Sequence, residues 1–134
     1  MIRGFACGVF DLFHAGHALM LEECKEHCDY LVVAVNRAEN IDQEINPGKK
    51  PLIFTFEDRK IILESCRFVD EVLGYNSEQE LIDIMRGGNF HIRFLGDDYL
   101  GKLITDGDAI SKVYYTDRSH GKSSSNFKNL FDSK

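Results

Sequence analysis

The sequence predicts an α/β fold: a doubly wound, parallel, five-stranded sheet with helices on both faces. Three observations carry this. Short apolar runs alternate with stretches of helical pattern along the 134 residues. Residues 30–35 (YLVVAV) form a continuous apolar, valine-rich run of the kind buried on both faces of a parallel sheet. Every loop rich in Gly, His, Asp or Lys follows such a run, where the carboxyl ends of parallel strands place ligands.

Taken in order, residues 2–7 read as the first strand. Residues 17–28 carry apolar Ala18, Leu21 and Cys28, with Glu22, Glu23, Lys25 and Glu26 on the other side, which predicts an amphipathic helix. Residues 30–35 complete a βαβ unit, and a long polar loop spans 37–51. Thr55 opens TFED, the form of a capping box, so the next helix runs from there through Ile61, Ile62 and Leu63 to about residue 66. Residues 68–73 supply a third strand. Ser77, with Glu80 three later, caps a helix over 78–86 that Gly87 and Gly88 terminate. Residues 91–95 and 112–115 give the fourth and fifth strands, and 124–131 a last helix. Right-handed crossovers between such units make the arrangement Rossmann-like.

The composition fits one domain over residues 1–134: 43% hydrophobic, 28% charged, two prolines and no fixed-period repeat. A formal charge of −6 argues against a nucleic-acid partner, because replacing phosphate counterions needs a Lys/Arg excess. The apolar runs fall short of the roughly 18 residues that suggest a membrane span, and the stretch after Arg3 and Gly4 is too short for a signal peptide. A cytoplasmic location follows as the expectation, with Cys7, Cys24, Cys28 and Cys66 as free thiols. Cys24, His27 and Cys28 share a helix, but no second Cys/His pair at zinc spacing follows them.

The chemistry concentrates in GVFDLFHAGH, residues 8–17. Gly8 leaves the first strand, Asp11 to Gly16 turn, and His14 and His17 stand at the start of a helix. A helix N-terminus offers unpaired N–H groups and partial positive charge. Two imidazoles there aim further donors at the same anion, and Gly16 lets backbone approach closely. This is a phosphate site, though not a Walker loop, since neither GxxxxGKS nor GxxxxGKT occurs. A dinucleotide-binding strand is also disfavoured: no GxGxxG follows the first strand, and Asn36 and Arg37, not an acid, end the second.

GVFDLFHAGH resembles the HxGH signature of the cytidylyltransferase family within the nucleotidyltransferase superfamily. EDRKIILESCRFVDEVLG, FLGDDYLGK and DRSHGKSSS resemble, in order, three further segments of that family. The resemblance covers nearly the whole chain, and glycerol-3-phosphate cytidylyltransferases of this length are the most similar branch. It implies attack of a substrate phosphate oxygen on the α-phosphorus of CTP, giving a CDP-linked product and pyrophosphate. Such transfer depends on positioning and charge neutralisation.

The resemblance further implies roles. His14, His17, Arg118 and Lys49 act in catalysis, with the two histidines donating to the triphosphate whether or not they are protonated. Gly8, Val9, Phe10, Asp11, Gly16, Asp97, Ser123 and Ser124 bind the nucleotide. Lys50, Arg59, Arg67 and Tyr99 bind the second substrate. Hard carboxylates beside a triphosphate suggest Mg²⁺ as cofactor, with Asp11 and Asp97 as candidate ligands. Asp11 could instead orient its loop, Ser123 and Ser124 could simply cap a helix, and Arg59 could pair with Glu64 or Asp58. A homodimer is implied as well.

Departures bear on the substrate. Tyr99 stands where the glycerol-phosphate enzymes commonly carry Trp. Val9 replaces their frequent Thr, as in the choline and ethanolamine branches. His120 and Lys122 depart from the usual residues of the last motif. Two other readings remain: an adenylyltransferase acting on a sugar phosphate or flavin precursor, and a nucleotide-binding regulatory module without turnover.

Overall fold

A computed structural model describes residues 1–38, 52–96 and 99–117. Strand β1 (Arg3–Gly8) leads into helix α1 (Ala15–Glu26) and strand β2 (Tyr30–Asn36). Helix α2 (Phe56–Glu64) precedes strand β3 (Glu71–Tyr75). Helix α3 (Glu78–Gly87) then precedes strands β4 (Ile92–Gly96) and β5 (Val113–Thr116). The five strands form one sheet in the order β3-β2-β1-β4-β5, with every neighbouring pair parallel. This is the doubly wound order, and its switch point lies between β1 and β4, where a crevice opens at the strand ends.

The apolar residues sort onto the two faces as the period-2 rule requires. Ala6, Val33 and Val35 pack with Leu21 and Cys24 of α1 and Leu63 of α2 in one core. Phe5, Val32 and Ala34 pack with Leu81 and Met85 of α3 in the other. Leu31 to Val35 are wholly inaccessible, so β2 is covered on both sides. Each such side chain contributes about 1.5–3 kcal/mol of burial. Gly4 makes room for this packing, because a Cβ there would stand 2.6 Å from the Phe94 ring and 2.8 Å from the Cys28 sulfur.

All five strands, three helices and both capped starts fall close to the sequence expectation, with shifts that have local causes. Helix α1 begins at Ala15 instead of residue 17, because His14 serves as its N-cap. Strand β3 begins at Glu71 instead of residue 68. Residues ahead of it turn, with Val69 N–H donating to Cys66 O (3.1 Å), and Phe68 and Val69 pack against the core as turn residues. Asp70 fixes that turn: its carboxylate accepts from Leu31 N at the start of β2 (2.7 Å) and pairs with Lys25. Thr55 Oγ1 accepts from Asp58 N (3.2 Å) and Ser77 Oγ from Glu80 N (3.1 Å), as N-caps do. All four cysteines are free thiols. No described helix is long and apolar enough to cross a membrane. The helix expected over 124–131 lies outside the described residues.

Candidate active site

The chain leaving β1 turns sharply. Phe10 and Leu12 adopt left-handed backbone conformations (φ 55° and 50°), which are uncommon for bulky residues and mark local strain. Asp11 between them is buried, and its carboxylate accepts from Ile53 N (2.8 Å) and Phe54 N (2.9 Å), tying the β1 loop to the segment that starts α2.

The two histidines close the turn as a reciprocal cap. His14 Nδ1 accepts from Gly16 N (3.0 Å), and His17 Nδ1 accepts from His14 N (3.2 Å). Their rings stack with centroids 4.0 Å apart, and Phe13 and Phe10 flank the His17 ring at 5.3 and 5.5 Å. A backbone N–H can only donate, so each Nδ1 is an acceptor and each neutral ring carries its proton on Nε2. The pair is thereby fixed in orientation and tautomer.

Beside it a cavity of about 520 Å³ opens at the carboxyl ends of β1, β4 and β5, within the size range of small-molecule sites. Gly8, Val9, Phe10, Gly16 and His17 line the α1 side. Cys7, Tyr75, Leu81 and Arg93 line the α3 side, and Tyr99, Leu103 and Thr105 form the outer wall. Although the chain is acidic overall, no carboxylate is among the described residues lining this cavity. The combination of a helix N-terminus, an imidazole and a guanidinium suits an anionic ligand.

A family model described as cytidylyltransferase-like matches residues 5–127. The chain belongs to the cytidylyltransferase-like family. A glycerol-3-phosphate cytidylyltransferase of Bacillus subtilis (strain 168) is 39% identical over 123 residues, 90% of this chain and 90% of the relative. The bifunctional protein HldE of Granulibacter bethesdensis is 34% identical over 126 residues, which is 90% of this chain and 25% of HldE. Among solved structures, the lipopolysaccharide core biosynthesis protein of Thermoplasma volcanium matches with a TM-score of 0.63 at 29% identity, covering 87% of this chain and 97% of that one. The chain is accordingly a nucleotidyltransferase of the cytidylyltransferase family.

In this cytidylyltransferase-family chain the expected site residues divide. Gly8, Val9, Phe10, Gly16, His17 and Tyr99 meet at the cavity, with His14 stacked on His17. One backbone donor expected for phosphate, Gly16 N–H, is instead spent on His14. Lys49, Lys50, Asp97, Arg118, His120, Lys122, Ser123 and Ser124 lie outside the described residues.

Two expectations need correction. Arg59 does not line the cavity, and its guanidinium is taken up by backbone carbonyls. It is inaccessible, and its Nη1 donates to Val9 O (2.9 Å) and Asn36 O (2.7 Å), Nη2 to Ala38 O (2.7 Å) and Nε to Thr55 O (3.3 Å). It clamps the loops after β1 and β2 to the start of α2, so it positions the site from behind. Arg67 is exposed, with its guanidinium 4.8 Å from the Phe68 ring. Helix α2 runs antiparallel to the strands, so its C-terminal end lies at their amino ends, away from the crevice.

Asp11 has the setting of a loop anchor, and its candidate co-ligand Asp97 lies outside the described residues. Both oxygens of Asp11 accept from backbone donors. Arg93 is the cavity residue that sequence reading missed. A lone arginine inside HIRFL, a strand expected to be buried, was the available signal.

Proposed function

We propose that this protein transfers CMP from CTP to a small phosphomonoester, with glycerol 3-phosphate as the acceptor to which the similar enzymes point, giving CDP-glycerol and pyrophosphate. The observation that carries the reading is the mutually capped His14–His17 pair at the N-terminus of α1, beside a cavity that Arg93 also lines. In the reaction an oxygen of the acceptor phosphate forms a bond to the α-phosphorus as the bond to the pyrophosphate oxygen breaks in line, with no covalent enzyme intermediate. The imidazole Nε2–H groups and the α1 N-terminus neutralise charge on the phosphoryl oxygens and the leaving group.

Arg118, Lys49 and the Ser123–Ser124 pair complete the phosphate cradle in this reading. Lys50 and Tyr99 serve the acceptor, and Asp97 the nucleotide. Mg²⁺ accompanies the triphosphate as its counter-ion, and no step is assigned to a protein-held metal. A homodimer and a cytoplasmic location belong to the same proposal.

Adenylyl transfer is the second reading. The histidine pair addresses phosphates and leaves the base unread, and the likeness to HldE covers as much of this chain as that to the glycerol-phosphate enzyme. Pyrophosphate release should be followed with CTP and ATP in parallel against a panel of phosphomonoesters. Release with CTP and glycerol 3-phosphate is the expected result. Release with ATP alone overturns the cytidylyl assignment, and CTP binding without release under any pairing points to a regulatory module.

A further inference from the structure

Arg93 is the single permanently charged side chain among the described residues lining the cavity. It stands on β4 opposite Phe5 of β1, on the face that α3 covers, and is only 3% exposed. Nη1 donates to the carbonyls of Thr105 (2.7 Å) and Asp106 (3.3 Å), whereas Nε is buried with no hydrogen-bond acceptor. The nearby carboxylate of Asp106 accepts Arg86 through both oxygens (2.6 and 2.5 Å) and shares no hydrogen bond with Arg93. Two neighbours on the same face supply no negative charge: burial pushes the Cys7 thiol up, against a smaller opposing effect of the Arg93 guanidinium beside it, and the Tyr75 phenol up to about 12. A buried cation with an idle donor is costly unless a ligand answers it.

The position of Arg93 says which end of the ligand does so. Gly16 and His17 reach the cavity from the α1 face, and Arg93 reaches it from the α3 face, across the switch point between β1 and β4. A molecule whose phosphate lies at the α1 N-terminus presents its other end to Arg93.

We propose that Arg93 determines acceptor specificity by donating from Nε to an anionic oxygen at the end of the second substrate remote from the reacting phosphate, so that the preferred acceptor is an acidic phosphomonoester bearing a carboxylate or a second phosphate. This rests on the reading that the second substrate is a phosphomonoester. Glycerol 3-phosphate remains an acceptor in this frame, but a more weakly bound one, because it presents a neutral hydroxymethyl group to the guanidinium.

The test is calorimetric binding of three probes that differ at one end: glycerol 3-phosphate, 3-phosphoglycerate and propane-1,3-diol bisphosphate. It uses the full chain, its Arg93→Met variant and its Arg93→Gln variant, with CTP binding measured alongside. The wild type should bind one or both diacidic probes at least about tenfold more tightly than glycerol 3-phosphate, the worth of one charge-assisted hydrogen bond. Whichever probe is favoured tells carboxylate from phosphate. Both variants should bring the three probes within about twofold of one another and leave CTP affinity unchanged. Absence of a wild-type preference overturns the proposal whatever the variants do. A loss confined to CTP overturns it in favour of a nucleotide contact. Because binding is read without turnover, failure of nucleotidyl transfer with every probe would sink the reaction proposed above while leaving this preference separately visible.

Discussion

The Nδ1 of His17 accepts the backbone N–H of His14 at 3.2 Å. With His14 Nδ1 accepting from Gly16 N, the two side chains proposed for the reaction also hold together the helix start they stand on. Protonating either Nδ1 would exchange an acceptor for a donor and break the cap, so the cap itself requires Nδ1 unprotonated on both rings. The expectation that protonation is immaterial is thereby narrowed.

Replacement of His14 separates the two roles. His14→Ala loses the cap and should cost about 1 kcal/mol of stability. His14→Asp restores an N-cap acceptor and should melt near the wild type, yet it puts a negative charge where a donor is needed. Both should lose about 10²- to 10³-fold in pyrophosphate release. A stable His14→Asp variant with wild-type turnover would show that His14 only caps.

Arg59 should behave as a buried clamp. Arg59→Met leaves the carbonyls of Val9, Asn36 and Ala38 without this donor, at about 1–3 kcal/mol for each one that water cannot reach. Arg59→Lys keeps the charge but not the fork, and should be destabilised almost as much in denaturant titration. A lysine variant of wild-type stability with a raised KM for the acceptor would restore the phosphate-contact role.

Much of this was legible in the chain. YLVVAV announced a strand covered on both faces, the Thr55 and Ser77 caps marked helix starts, and GVFDLFHAGH named the loop at the crevice. What stayed hidden depended on tertiary partners. Arg59 has the same sequence neighbours whether its guanidinium faces substrate or three carbonyls from other loops, and Arg67 lies eight positions on, at the far end of an antiparallel helix. Nothing local distinguishes Asp11 as a metal ligand from Asp11 as an acceptor for Ile53 and Phe54, over 40 residues away.

Asp11 therefore yields its own prediction. Asp11→Asn retains one good acceptor and turns an amide toward the other backbone donor. It should destabilise the fold by about 2 kcal/mol, the scale of a hydrogen bond to a charged group. Its loss of activity should persist when Mg²⁺ is raised well above saturation for the wild type. Recovery of turnover at high Mg²⁺ would identify Asp11 as a metal ligand after all.

The cavity's outer wall should be acid-sensitive through Asp106. The Arg86 guanidinium, through its hydrogen bonds, holds that carboxyl below its ordinary value of 3.8, against a smaller opposing effect of burial. A depressed folded-state value means that the unfolded chain binds the proton first. The stabilisation is present in full above about pH 4 to 5 and is lost as the pH falls through the folded-state value. Arg86→Met removes the pair. The stability gap between wild type and variant, measured by urea titration, should be constant from neutrality to about pH 5 and close below about pH 4. The same acidification should loosen the carbonyls of Thr105 and Asp106 that hold Arg93, so ligand affinity should fall over the same interval in the wild type. A gap that widens on acidification would mean that Asp106 is not held down by Arg86, and the wall would need another anchor.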